Sequence, residues 1–182
     1  MNDVISNDYI NDLNKIKETI KQNQNKAMVI VNSAMIMTYY EIGTIINSRK
    51  TWGNKYIQKL SEDLKEYGKG YSNENLYRMA KFSLEFSRDE IMSQAATQIP
   101  WFTIVIIMGK SNSHEEMLWY INQTHKYSWS RSQVLQKFKE KAYERNLIEP
   151  DTSILVKKDD SIKEIFKDIY VFDFLNKDNT KT

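Results

Sequence analysis

Two groups of side chains carry the residue types that grip a phosphate backbone. Asn73, Tyr77, Arg78, Lys81 and Arg88 form one; Arg131, Ser132, Gln133, Gln136, Lys137 and Lys139 form the other. Arg and Gln can read base edges in a major groove, whereas Lys and Ser more often hold the backbone. Glu74, Glu85, Glu140 and Glu144 lie among them and would repel phosphates. The charged face of an ordinary solvated helix accounts for the same residues, and on residue types alone the two readings stand level.

Other chemistry finds less support. His114 and His125 are the only histidines, and there is no Cys to join them. They read as surface or capping histidines rather than metal ligands, and no cofactor is expected. Glu62 and Asp63 read as solvated helix residues rather than a catalytic pair. Trp52, Trp101, Trp119 and Trp129 sit at helix boundaries or on apolar faces, so they are expected to anchor core and turns rather than stack on bases. Asn122-Gln-Thr matches a glycosylation acceptor, but an intracellular chain never meets that machinery.

The elements that must position the first group are a helical hairpin. Tyr56, Ile57, Leu60 and Leu64 recur at helical spacing until Gly68 and Gly70 stop the helix. Ser72 is the expected N-cap of a second helix, since its oxygen can accept a free backbone N–H of the first turn. That helix carries Leu76, Met79, Ala80, Ser83 and Phe86 on one face and Tyr77, Arg78, Lys81, Glu85 and Arg88 on the other. The second group has a similar frame. Ser113 and Glu116 stand at capping-box spacing before a helix through Met117, Leu118, Tyr120 and Ile121. Ser130 and Gln133 repeat that spacing before a helix burying Val134, Leu135, Phe138 and Ala142. Helix, short turn, helix is the layout of a DNA-binding helix-turn-helix, and equally of any helical hairpin.

Around these lie further helices. Ile10, Leu13, Ile16 and Ile20 predict a first helix over 7–22, and Gln22-Asn23-Gln24-Asn25 is either a break or a continuation. The stretch from about 26 to 49 is apolar nearly all round, the pattern of a helix at the centre of a bundle. Pro100 is expected at a first helical position. Phe102 to Met108 suits a strand by its β-branched content and a short buried helix by its position. From Glu149-Pro150 the chain changes character, with the charge run Lys157-Lys158-Asp159-Asp160 and a polar end from Asn176.

Composition bounds these readings. The chain has 182 residues, 41% of them hydrophobic, enough to bury a core. Gly 5 and Pro 2 are too few for the many turns of a sheet-rich fold, so long helices are expected. The N-terminus has no secretory-signal pattern, and uninterrupted apolar runs such as Ile104–Met108 are too short to span a bilayer. A cytoplasmic protein is expected, with no membrane partner. Net charge is +2, and residues 71–146 hold 10 basic and 8 acidic side chains. Any DNA contact must therefore come from local arrangement rather than a bulk basic excess.

Taken in order, several pieces resemble the N-terminal domain of the YhcG family. They are Tyr40-Glu-Ile-Gly with Ile46, Trp52-Gly53, Leu60-Ser-Glu-Asp-Leu, Gly70-Tyr-Ser-Asn-Glu-Asn-Leu-Tyr-Arg-Met with Phe82, Pro100-Trp101, Trp119-Tyr120, Trp129-Ser130 and Tyr143-Glu-Arg. The closing Tyr170-Val-Phe-Asp-Phe-Leu looks like the family's junction into its nuclease domain. The resemblance implies a helical region of unassigned function that is joined, in the family, to a C-terminal nuclease of the PD-(D/E)xK class. Where the family tends to carry Ser-His after the Pro-Trp pair, this chain has Phe102 and Thr103. A PD-(D/E)xK core needs carboxylates and a lysine about a divalent metal. Pro150-Asp151 is followed by no Asp/Glu-x-Lys, and the single such triplet, Asp63-Leu64-Lys65, lies upstream.

The expectation is an all-α helical bundle with a long buried central helix and two helix-turn-helix-like hairpins. Residues 1–148 form the helical domain, and 149–182 an extension resembling the junction to a nuclease domain. The expected function is a non-catalytic DNA-binding or targeting module, partnering DNA and a nuclease domain or subunit. The alternative is a protein-interaction or oligomerisation module in which the 26–49 helix pairs with another chain, including a second copy.

Overall fold

The computed structural model describes residues 7–49, 54–92 and 95–148, so the proposed extension from 149, together with Trp52 and Gly53, lies outside the described residues. The order is α1 (Asn7–Asn47), α2 (Asn54–Asp63), α3 (Asn73–Glu85), α4 (Arg88–Met92), α5 (Trp101–Lys110), α6 (His114–Tyr127), α7 (Arg131–Lys139) and α8 (Ala142–Ile148). Single 3₁₀ turns lie at Lys65–Tyr67, Lys69–Tyr71 and Ala96–Gln98. No strand occurs among the described residues, and Phe102–Met108 is helical, because its apolar residues face neighbours on several sides.

The 7–22 and 26–49 patterns are one helix of 41 residues, continuous through the Asn/Gln patch. It is about 60 Å long at 1.5 Å per residue. Its burial is one-sided rather than central. Met28, Asn32, Met35, Ile36, Tyr39, Gly43 and Ile46 face the bundle, while Ile30 and Ile45 are 69% and 64% exposed. No described residue before Met28 is buried. One stretch of α1 has the length and apolar content of a membrane span, which a search for uninterrupted apolar runs misses; a third of that stretch is buried in this bundle.

The core forms where α1 crosses α3. Gly43 is required there: a Cβ would overlap the Met79 carbonyl, far inside ordinary van der Waals contact. Asn47 caps the crossing, its Nδ2 donating to the Ala80 carbonyl (2.7 Å) and Ser83 Oγ (2.8 Å). Phe82, fully buried, packs edge-on against Trp101 and Tyr40, and Tyr39 lies 4.7 Å from the Trp101 ring. Farther up α1, Asn32 Nδ2 donates to the carbonyls of Thr97 (2.7 Å) and Ile99 (3.0 Å). Those bonds hold the extended Ile99-Pro100 entry to α5 against α1. Pro100 itself is the N-cap of α5, one place earlier than expected, with an extended backbone.

The two hairpins differ. Between α2 and α3 the chain takes two 3₁₀ turns, whereas Ser128–Ser130 suffices between α6 and α7, with Ser128 left-handed at φ 51°. The expected final helix is also split. Lys141 adopts φ 52°, ending α7 and starting α8 in a new direction, with no glycine to announce it. Ser113 caps α6 as expected, but Glu116 does not close the box. Its carboxylate instead accepts from the Asn112 backbone N–H at 2.6 Å and from Asn112 Nδ2 at 3.2 Å.

Candidate nucleic-acid interface

The helix openings are fixed by local chemistry before any charge is considered. Ser72 accepts from the Asn75 backbone N–H and starts α3. Ser130 accepts from Gln133 N while Gln133 Oε1 accepts from Ser130 N (2.8 Å), a full capping box that starts α7. Buried Asn75 then ties two of these openings together. Its Nδ2 donates to the Gly70 carbonyl (2.6 Å), and its Oδ1 accepts from Trp101 Nε1 (2.7 Å). The first turns of α3 and α5 are thus bonded side by side through a buried amide.

Phe102, the second residue of α5, joins the third opening. The Arg78 guanidinium carbon lies 5.8 Å from the centre of its ring, and that of Arg131 lies 5.6 Å from the same centre. Cations near a ring face are held by its quadrupole, so the phenyl ring supports two positive charges delivered by different helices. The second turn of α3 and the opening turns of α5 and α7 therefore meet around one side chain. Each helix N-terminus adds roughly half a positive charge, carried on unsatisfied backbone N–H groups. Exposed Asn73 and Ser132 occupy the same first turns, and Tyr77, half-buried, precedes Arg78. Glu74 accepts a hydrogen bond from Arg78; the Glu74 side chain is 74% exposed and that of Arg78 31%, so Glu74 partly offsets the Arg78 charge from the solvent side.

The remaining candidates lie elsewhere. Lys81 Nζ donates to the Met108 carbonyl at 3.3 Å, near the far end of α5. Arg88 begins α4 and approaches Glu41 of α1 at 3.9 Å. Gln133 is committed to its cap. Gln136 and Lys137 both donate to Glu140, at 3.0 and 3.1 Å, and Arg145 joins them at 3.3 Å. Gln136 first, then Lys137, holds the Glu140 carboxyl below its usual range. Gln136 and Lys137 are thus engaged with Glu140 in the later turns of α7, with Lys139 exposed at the end. Of the eleven candidates, Arg78 and Arg131 meet at Phe102, and Asn73, Tyr77 and Ser132 lie beside them in sequence on α3 and α7.

Sequence reasoning missed Phe102 and Asn75. Phe102 carried a signal, since it departs from the family pattern, but nothing in the string says that two arginines some fifty residues apart would share its ring. Asn75 looks like any residue of a polar helix start.

His114 has a partner in neither cluster. Its Nε2 lies 2.7 Å from Glu90 Oε1, and Glu90 also accepts from Ser87 N (2.7 Å) and Ser87 Oγ (2.8 Å). The backbone N–H of Ser87 contributes most, followed by His114, and the Glu90 carboxyl is lowered to about 2. Among the described residues, no group of three or more His, Asp or Glu is arranged to hold a metal ion.

Fold and site together define a class: a helical module whose core lies at one long helix crossing and whose cationic end is built from three helix openings. The chain belongs to the DUF1016 N-terminal domain family, which it matches over residues 15–145. It is 26% identical to "Putative nuclease YhcG" of Escherichia coli (strain K12), a match covering 70% of this chain and 44% of that protein. The chain therefore spans less than half the length of that relative. No solved structure matches it. The match to this nuclease-associated N-terminal domain family runs from within α1 into α8.

Proposed function

We propose that this domain is a non-catalytic DNA-binding module that grips the phosphate backbone with the end of the bundle centred on Phe102. One observation carries the reading: Arg78 of α3 and Arg131 of α7 converge on one aromatic ring where α5 also begins. Guanidiniums, backbone N–H groups at helix starts, and small polar side chains such as Asn73 and Ser132 are the groups that hold phosphate oxygens. A contact of this kind positions a protein on nucleic acid without reading its sequence. The similarity to a protein named as a nuclease supports DNA as the polyanion, and a nuclease domain or subunit as the partner this module would deliver. The setting proposed is the cytoplasm.

Electrophoretic mobility shift with duplex, branched and single-stranded DNA, at low and moderate salt, tests the reading. Salt-sensitive retardation of at least one form is expected, because phosphate contacts release counterions. Absence of retardation of all three forms at low salt would sink it. Metal-dependent cleavage by the purified chain, lost on mutation of an acidic residue, would contradict the non-catalytic part.

A further inference from the structure

The first half of α1 buries no residue in the bundle, yet it is patterned for packing. Numbered as heptads with Leu13 at position a, the a positions are Leu13, Ile20, Ala27 and Ala34, and the d positions are Tyr9, Ile16, Asn23, Ile30 and Met37. Residues that α1 buries in its own bundle fall elsewhere. Met28 and Met35 are at b, Ile36 and Gly43 at c, Asn32, Tyr39 and Ile46 at f. The seam thus lies on the side of the helix turned away from the bundle. Tyr9, Ile16, Ile20 and Ile30 are 57%, 56%, 51% and 69% exposed along it. A second helix can follow this seam without displacing α3.

We propose that the seam from Tyr9 to Ile30 is a homodimer interface, a parallel two-stranded coiled coil with a second copy of this chain. Two features select a copy of itself in parallel register, and a third calls for a partner along the seam. Asn23, the one polar residue in the seam over this span, would face its own counterpart, and such a residue restricts register and strand number because pairing with an apolar layer leaves its amide buried unsatisfied. Asp12 falls at g and Lys17 at the following e, so in a parallel pair each Asp12 meets the partner's Lys17, twice by symmetry. Finally, the stretch is rich in Asn, Gln and Lys and buries nothing before Met28. A solvated segment of that composition is a marginal helix alone, and a partner along the seam supplies the packing that single helices draw stability from. The seam is about 33 Å long, or roughly three heptads.

Light scattering or sedimentation equilibrium of the full chain at micromolar concentration reads this directly. The expected mass is twice the 21.6 kDa chain. Leu13→Asp with Ile20→Asp should yield a monomer whose circular dichroism retains the bundle, since neither residue belongs to the core. Lys17→Asp should weaken dimerisation by on the order of tenfold, and adding Asp12→Lys should restore it, because the pairs are then reversed rather than broken. A wild-type chain that stays monomeric would overturn the proposal and leave the seam to a different occupant. A dimer indifferent to the paired Leu13→Asp and Ile20→Asp changes, or a Lys17→Asp defect that Asp12→Lys does not rescue, would also overturn it. None of these readouts depends on DNA, so a failure here is separable from a failure of the DNA-binding reading.

Discussion

At the residue scale, buried amides fix the geometry of the cationic end. Asn75 serves a carbonyl of one turn and the indole N–H of another helix, both away from water. Removing it leaves the Trp101 Nε1 and the Gly70 carbonyl without that partner. Asn75→Ala should cost about 2–4 kcal/mol, since stranded buried polar groups lose their full desolvation penalty while a typical intact bond contributes only about 1 kcal/mol. Chemical denaturation would measure it. Trp101→Phe, which strands only the Asn75 oxygen but also loses ring contacts, should be comparable. Glu90 gives a prediction in pH. Its carboxyl is lowered to about 2 in the fold, whereas the unfolded chain has an ordinary value near 4.3. A group lowered by folding stabilises the native state above its unfolded value, and that contribution disappears as pH falls through the window from about 4.5 towards 2. Glu90→Gln should therefore flatten the loss of stability across that window and cost about 1 kcal/mol at neutral pH through the weakened Ser87 cap.

At the element scale, the α1–α3 crossing is the firmest constraint. Gly43→Ala pushes a methyl into the Met79 carbonyl on a neighbouring backbone, which cannot swing aside as a side chain would. An expected loss of about 3 kcal/mol or more, seen as a lowered thermal or denaturant midpoint, follows from overpacking with backbone displacement. Ser130→Ala removes the α7 cap for about 1 kcal/mol and should loosen the Arg131 end with it. Most of these elements were legible in the string because their signals are local. Apolar residues at three- and four-residue spacing located α1, α2, α3 and α6, and Ser before a helix located three starts. The continuous α1 was less certain because Gln22–Asn25 neither favours nor forbids helix. The Lys141 break was invisible, since a left-handed lysine is imposed by the packing of α8 rather than by its own preference. The candidate interface was half legible: residue types marked Arg78 and Arg131, but their meeting at Phe102 depends on α5 standing between α3 and α7, a tertiary fact. Gln133, Gln136 and Lys137 are occupied by partners within four residues, and the capping-box spacing of Ser130 and Gln133 already marked the first of them.

At the scale of the whole molecule, a net charge of +2 gives no general attraction to nucleic acid. The proposed binding rests on where the charge sits. Arg78 and Arg131 share one end with the openings of three helices, while Lys137 of α7 and Arg145 of α8 share the single carboxylate of Glu140. We propose that this end holds phosphates. The most direct measurement is the dependence of DNA affinity on salt for the wild-type chain, the Arg78→Ala, Arg131→Ala double variant and Lys139→Ala. Each phosphate contact contributes close to one to the slope of log affinity against log salt concentration. The double variant should bind more weakly at every salt concentration with a slope smaller by about two, and Lys139→Ala should leave the slope near that of the wild type. A double variant that folds normally and keeps the wild-type affinity and slope would contradict the account.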